Sequence, residues 1–401
     1  MINNSLSKNI KFFFTVFANY SYVIVNFLLI AIISNRFSTE ILGSYLHSLV
    51  IINLLGIILK FGNENYLLRT GSFKKDSLNQ AKTIFITLSL PIVCFVVMLG
   101  FFNNPLFFYF IPYLLGFTFL TIIIAYNKGR DVNKSFWLNL LIFSVIPLIN
   151  LCVVHFYKPD VEIIVLLLGF LYFLLALYFF LKELKISINL ILDRIYLIEC
   201  SQYLILTVGS IMATTSSSLI IGFLLNSKIT ASYIIIEKIS DIISLSVTVV
   251  AVLSSKPLID SFNNRSNFKK SYYSFLFKSL ILAIVIALLT LLCLNKIMIF
   301  LDFEYFDNYI EVVYILFIGK FLICCLGPAI LITSISNRRS ELIFAYIFIV
   351  AFNLIFGSLM ISIFGAIGAA VNSVTTLIIL RLVFFNKIRK KYFYDNSRST
   401  I

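Results

Sequence analysis

Ionisable side chains inside long apolar segments are the first candidates for chemistry in this sequence. Lys320 lies near the middle of the apolar segment 312–335, and no acidic residue accompanies it in that segment. A charge at the centre of a membrane-spanning helix costs about 2.5–3.5 kcal/mol on the insertion scale. The ammonium therefore needs a partner, and three are open: an anionic group on a ligand, an acid on another helix, or the interface reached by snorkelling.

A second charged group comprises Glu237, Lys238 and Asp241, all in the apolar segment 233–253. The i, i+4 spacing places both acids on one face of a helix, and Lys238 lies within reach of Asp241. Two interpretations stay open. The group neutralises itself near the outer interface, or it faces a polar path and binds a coupling cation, H⁺ or Na⁺.

Uncharged polar side chains lie on one side of the first apolar segment, 12–33, and of the seventh, 201–225. The seventh segment includes Ser217 and Ser218. Such groups either satisfy helix packing in a membrane or contact the hydroxyls of a sugar. The candidates for a substrate path are Asn19, Asn26, Gln202, Thr214 and, in a later segment, Asn353.

Four arginines lie near ends of segments that are predicted to be cytoplasmic: Arg69, Arg338, Arg339 and Arg381. They set the topology and contact lipid headgroups, or they attract a pyrophosphate that enters from the inner leaflet.

No pattern predicts an enzyme, a cofactor or a metal ion. The six cysteines lie in or beside apolar segments without a CxxC motif, and the two histidines lie in different segments without acidic neighbours. The sequence also lacks a glycine-rich phosphate loop and a DxD motif. We therefore expect a protein that moves its substrate without changing it.

The elements that must position these residues are helices. The chain is 60% hydrophobic and only 12% charged, far from the composition of soluble domains. Barrel strands would alternate apolar and polar residues, and these segments do not. The sequence predicts an all-α membrane protein with twelve transmembrane helices at 12–33, 44–61, 83–102, 106–126, 137–157, 163–181, 201–225, 233–253, 277–300, 312–335, 341–362 and 367–385.

The distribution of basic residues predicts the orientation. With the N-terminus inside, 26 of the 32 Lys and Arg residues fall in cytoplasmic loops and four fall outside. Positive loops face the cytoplasm, so both termini are expected there. The net charge of +14 is thus explained by topology and anionic membrane lipids, and no nucleic-acid partner is expected.

The chain also divides into two similar halves. We predict an N-terminal lobe at 1–181, a cytoplasmic linker at 182–200, a C-terminal lobe at 201–385 and a basic cytoplasmic tail at 386–401. Gly43-Ser44-Tyr45 after the first segment and Ala231-Ser232-Tyr233 after the seventh favour a parallel repeat of six helices. The basic loops, including 62–82, are expected to hold short helices on anionic lipid.

Local motifs add a resemblance. Asn35-Arg36-Phe37 followed by Gly43-Ser44-Tyr45, and the run from Phe364 to Ala370, resemble the polysaccharide-biosynthesis, O-antigen (Wzx-type) flippases. These belong to the multidrug/oligosaccharidyl-lipid/polysaccharide exporter superfamily. The resemblance implies two six-helix bundles around a central cavity (a MATE-like fold) and alternating access. It further implies an undecaprenyl-diphosphate-linked oligosaccharide as substrate, the bacterial inner membrane as location, and a polysaccharide polymerase and chain-length regulator as partners.

Three alternatives remain. A membrane polymerase or ligase of polysaccharide repeats would need a long external loop, and the predicted external loops are short. A cation-coupled small-molecule exporter of the same superfamily is expected to carry an acid in the first segment, and residues 12–33 contain none. A lipid II flippase is similar as well but usually has two more spans.

Overall fold

The computed structural model describes residues 24–69, 77–128, 132–182, 193–261, 265–300, 309–329, 332 and 339–389. These parts of the chain consist of helices and turns, with no β-strand among them. The candidates Asn19 and Arg338 lie outside the described residues.

Contacts divide the chain into two compact units, Met1–Val208 and Gly209–Ile401. The helices of the first unit are α1 (Ile24–Ser34), α2 (Thr39–Lys60), α3 (Asn63–Arg69), α4 (Ser77–Phe102), α5 (Leu106–Tyr109), α6 (Ile111–Lys128), α7 (Val132–Leu140), α8 (Ile146–Tyr157) and α9 (Val161–Lys182). A π-helical turn at Leu141–Val145 joins α7 and α8 into one continuous rod.

The next helix, α10 (Arg194–Leu224), begins in the first unit and ends in the second. The second unit continues with α11 (Ser227–Asp260), α12 (Arg265–Phe300), α13 (Ile310–Cys325), α14 (Arg339–Phe352) and α15 (Ser358–Arg389). A π-helical turn at Asn353–Gly357 links α14 to α15.

The helices confirm the predicted all-α membrane architecture, since a helix occupies each of the twelve predicted segments. Eight helices within the described ranges are long and apolar enough to cross a membrane. Large apolar side chains point outward along them, among them Leu90 of α4, Leu292 of α12 and Phe348 of α14. Such an apolar exterior is stable in hydrocarbon and not in water.

The last two predicted spans form an antiparallel helical hairpin. Its turn is at Gly365, whose φ of 58° and ψ of −131° are accessible to glycine and strained for other residues. The contacting pairs converge on this turn: Glu341–Lys387, Asn353–Thr376, Gly357–Asn372 and Met360–Gly368. The run Phe364-Gly365-Ala366 in the resemblance motif is therefore the hairpin turn itself.

We expect Gly368→Ala to destabilise this hairpin strongly. A Cβ atom at position 368 would lie 2.0 Å from the Met360 carbonyl oxygen, a backbone atom that cannot move aside alone. Separating the two helical arms costs about 3 kcal/mol by analogy with overpacked cores. Unfolding of the purified protein in mixed micelles measures the loss. Ile363→Ala, at an outward-facing position of the same hairpin, is the control and should change stability by less than about 0.5 kcal/mol.

One short helix lies in the first basic loop. In α3, Asn63, Tyr66 and Leu67 are buried, so one face of this helix packs on the first unit, and its contact with lipid stays a prediction. The Tyr196 hydroxyl of α10 donates to Asn63 Oδ1 at 2.6 Å. The backbone at position 62 approaches α10 so closely that only glycine fits there. A Cβ atom at Gly62 would lie 2.1 Å from the Cys200 carbonyl oxygen.

Arg36, in the Asn35-Arg36-Phe37 motif, joins two helical hairpins of the first unit. Its guanidinium donates to the carbonyl oxygens of Val154 at 2.5 Å and His155 at 3.2 Å. Both carbonyls belong to the last turn of α8, where the Val154 carbonyl also accepts from the Lys158 N–H and other carbonyls lack intrahelical partners. Arg36 therefore acts as a C-terminal cap on a helix 118 residues away in sequence.

Candidate functional site

An ion pair between a buried lysine and a partly exposed aspartate, whose side chain is 38% exposed, joins α11 and α13 in the second unit. Lys320 Nζ donates to Asp241 Oδ1 at 2.6 Å. Lys320 is only 3% exposed, so its ammonium depends on this carboxylate for solvation. Of the partners open from the sequence, the structure contains the acid on another helix.

Lys238 contributes little to this pair. Its ammonium lies 4.0 Å from Asp241 Oδ2, and its side chain is 46% exposed. An exposed pair at that distance is screened by water and is worth well under 1 kcal/mol. The local pair that the i, i+3 spacing favoured is thus subordinate to the pair between helices.

Glu237 lies one helical turn before Asp241 and is almost fully buried, at 2% exposure. Its carboxylate accepts hydrogen bonds from the Ser218 hydroxyl of α10 and, at 3.5 Å, from the Tyr233 hydroxyl of its own helix. Neither donor carries a charge. Glu237, Asp241 and Lys320, which we call the acidic triad, therefore hold two carboxylates for one lysine.

A row of uncharged polar side chains extends from the triad between α10 and α15. The Asn372 amide donates to Ser217 Oγ at 3.0 Å, and the Thr376 hydroxyl donates to Asn353 Oδ1. All four residues are buried. Among the described atoms, Asn353 Nδ2 and Asn372 Oδ1 have no hydrogen-bond partner. A buried amide atom without a partner is costly, so both can gain from a water molecule or a polar ligand.

Arg381 of α15 lies at the end of α13. Its Nη1 donates to the carbonyl oxygens of Ile323 at 3.3 Å and Gly327 at 3.1 Å. The guanidinium is partly buried, its Nε has no partner, and no carboxylate pairs with it within the described ranges. Neutral carbonyls do not compensate the charge of the guanidinium, so the guanidinium can still pair with an anion. That this end of α13 faces the cytoplasm stays a prediction.

The other sequence candidates are dispersed. Thr214 is exposed and donates to the Ile211 carbonyl of its own helix, so it satisfies local structure. Asn26 and Gln202 are half-buried and belong to the first unit. Arg69 ends α3 and Arg339 begins α14, and the side chains of both fall outside the described set. The second unit thus brings together only Glu237, Asp241, Lys320 and, through the polar row, Asn353.

Sequence reasoning missed Tyr233, Asn372 and Thr376. A signal was present, because Tyr233 precedes Glu237 by four residues and Asn372 precedes Thr376 by four, so each pair shares a helix face. Tyrosine, asparagine and threonine are common in membrane helices, however, and one-face spacing alone does not separate a site from packing.

Known structures share this architecture. The lipid II flippase MurJ in its inward closed conformation aligns with a TM-score of 0.69 over 94% of this chain and 87% of its own, at 15% identity. A MATE protein in complex with MaL6 gives 0.62 over 95% and 96% at 12% identity, and the eukaryotic MATE transporter AtDTX14 gives 0.54 over 96% and 96% at 14% identity. No family model matches the sequence, and no curated protein matches it. The chain has the fold of MurJ and the MATE transporters, proteins of the exporter superfamily that its motifs resemble.

Proposed function

We propose that this protein is a flippase. It moves an undecaprenyl-diphosphate-linked oligosaccharide repeat unit, for O-antigen or a related polysaccharide, from the cytoplasmic to the periplasmic leaflet of the bacterial inner membrane by alternating access. The fold shared with MurJ and MATE proteins supports a transporter. The choice of substrate rests on the motif resemblance and on the chemistry of the second unit.

One observation carries the proposal: the second unit buries an ionic and amide-rich row within apolar helices. Lys320, Asn353 and Asn372 are all buried there. Burying such polar groups in membrane helices costs free energy, which favours a functional role for them. Amides and hydroxyls hydrogen-bond the hydroxyls of a sugar, and Arg381 offers an uncompensated cation for a phosphate. A lipid-linked sugar diphosphate requires both kinds of partner.

A second candidate is a cation-coupled exporter of small molecules. It is favoured by the excess carboxylate of the acidic triad, since acids in membrane helices commonly carry coupled ions. This candidate predicts that surface polysaccharide persists when the gene is removed.

Deletion in the native host tests the flippase. We expect lipid-linked repeat units to accumulate facing the cytoplasm and surface polysaccharide to disappear, because the polymerase acts on the outer leaflet. Labelling of repeat units in intact and in permeabilised cells measures their sidedness, and a plasmid copy of the gene should restore export. Normal polysaccharide in the deletion strain would refute the proposal.

A further inference from the structure

The charges around Glu237 do not balance. Asp241 and Glu237 supply two carboxylates, and among the residues that the structure describes Lys320 is the one buried ammonium beside them. Lys320 donates to Asp241, which leaves Glu237 with the neutral hydroxyls of Ser218 and Tyr233. An ionised carboxylate in such surroundings is strongly disfavoured and takes up a proton instead.

The net charge around Glu237 depends on all of the charged groups that the structure describes near it. On α11 these are Lys238 and Asp241, and on α13 there is Lys320; the α10 neighbour, Ser218, is neutral. Lys238 points outward, and its 46% exposure lets water screen it. With both acids ionised, the acidic triad therefore carries a charge of minus one until a cation joins it.

We propose that Glu237 is a proton-binding site, and that its proton switches a hydrogen bond between α11 and α15. This inference rests on the proposed function, for which it supplies the coupling ion. The site suits a proton better than a metal cation, because a hydroxyl already occupies each carboxylate oxygen, at Ser218 and Tyr233, and a hydroxyl can turn to accept a hydrogen bond from the protonated acid.

The switch runs through the Tyr233 hydroxyl, which lies 3.5 Å from Glu237 Oε1 and 3.4 Å from the Ala369 carbonyl oxygen. When Glu237 is protonated, its O–H donates to Tyr233, and Tyr233 donates to Ala369 on α15. When the proton leaves to water, the Tyr233 hydrogen turns to the carboxylate, and the Ala369 carbonyl loses its side-chain donor while it keeps its place in the helix.

The position of Ala369 gives this exchange a mechanical consequence. Ala369 is buried four residues after the Gly365 turn and one after Gly368, where the hairpin arms touch backbone to backbone. A proton on Glu237 therefore ties α11 to the turn end of the hairpin, and its release frees that end. Hydration of the site, which stabilises the carboxylate, is what releases the proton.

Infrared difference spectroscopy tests the proton without any substrate. Purified full-length protein in lipid vesicles is stepped from neutral to alkaline pH, and the band of protonated carboxyl groups is recorded. We expect a band that the wild type loses on alkalinisation and that Glu237→Gln lacks at every pH. Glu311→Gln, which removes an exposed glutamate at the start of α13, is the matched control and should keep the band.

Tyr233→Phe is a second variant that tests the proposal even if Glu237→Gln fails to fold. It removes the proposed acceptor, so the band should remain and move to higher frequency. A wild-type band that persists unchanged in Glu237→Gln would overturn the proton site. If the band behaves as expected but Glu237→Gln exports polysaccharide at the wild-type rate, the coupling role is overturned while the flippase stands. Loss of export on deletion of the gene tests the flippase separately.

Discussion

The double substitution Asp241→Asn with Glu237→Gln is expected to destabilise the protein by about 3–5 kcal/mol, far beyond the sum of the two single substitutions. Each single variant leaves Lys320 one carboxylate: the neighbouring Glu237 when Asp241 is replaced, and Asp241 when Glu237 is replaced. Only the double variant leaves a 3% exposed ammonium without an acid among its described neighbours.

Unfolding in mixed micelles measures these free energies for the wild type, both single variants and the double variant. Lys320→Met added to the double variant is the matched control, since it removes the charge that has lost its partner and should recover most of the stability. Additive single effects would show that Lys320 does not depend on the two acids together.

Export separates the two acids further. Asp241→Asn should still insert, because Glu237 neutralises Lys320, but it should abolish export, because the triad then has no proton left to exchange. The amount of surface polysaccharide in a complemented deletion strain measures this, normalised to the amount of protein in the membrane. Wild-type export by Asp241→Asn would exclude the triad from transport.

Arg381→Met is expected to lower export at least tenfold while changing stability by no more than about 2 kcal/mol. The substitution removes two hydrogen bonds to carbonyl oxygens, each worth about 1 kcal/mol net. It strands no carboxylate, because none pairs with Arg381 within the described ranges. A large loss of export with a small loss of stability would assign the guanidinium to the substrate's phosphates.

The control for Arg381 lies six residues further along α15. Lys387 is about half exposed and pairs with Glu341 at 3.0 Å, so Lys387→Met should export at the wild-type rate. Arg381→Lys should keep part of the activity, since it preserves the charge and loses the planar fork. If Arg381→Met loses stability and export in proportion, Arg381 only caps α13.

The two large effects address different parts of the second unit. In the acidic triad, Lys320 pairs with Asp241, and one proton neutralises Glu237. Arg381, by contrast, has no acidic partner among the described groups. In the proposed cycle, the triad holds the coupling ion and Arg381 holds the anionic end of the substrate.

Much of the fold was predictable from the sequence. A helix lies in each predicted apolar segment, although some helix ends differ by ten residues or more, and the pair 341–362 and 367–385 corresponds to the two arms of the hairpin at Gly365. The lobe boundaries, the orientation of the termini and the central cavity stay predictions. A short helix, α3, lies in the loop at 62–82, but the burial of Asn63 by Tyr196 was not visible in the sequence, because it depends on a helix more than 130 residues away.

The candidate site was predictable only in part. The sequence identified Lys320, Glu237 and Asp241 as charges in apolar helices. The cost of burying a charge indicated that Lys320 needs a partner. It favoured Lys238 for Asp241 because local spacing is visible in a sequence, whereas the observed partner is 79 residues away. Tyr233, Asn372 and Thr376 carried no charge to mark them.

By itself, then, the sequence determined that the chain is a bundle of membrane helices with a few costly charges, because hydropathy and the burial cost of a charge are local properties of a segment. Tertiary structure alone decided which charges meet, that Arg36 caps a distant helix and that Glu237 is left with neutral donors. Those outcomes depend on how each helix is rotated about its axis and which neighbour it packs against, and neither is encoded in the composition of a single segment.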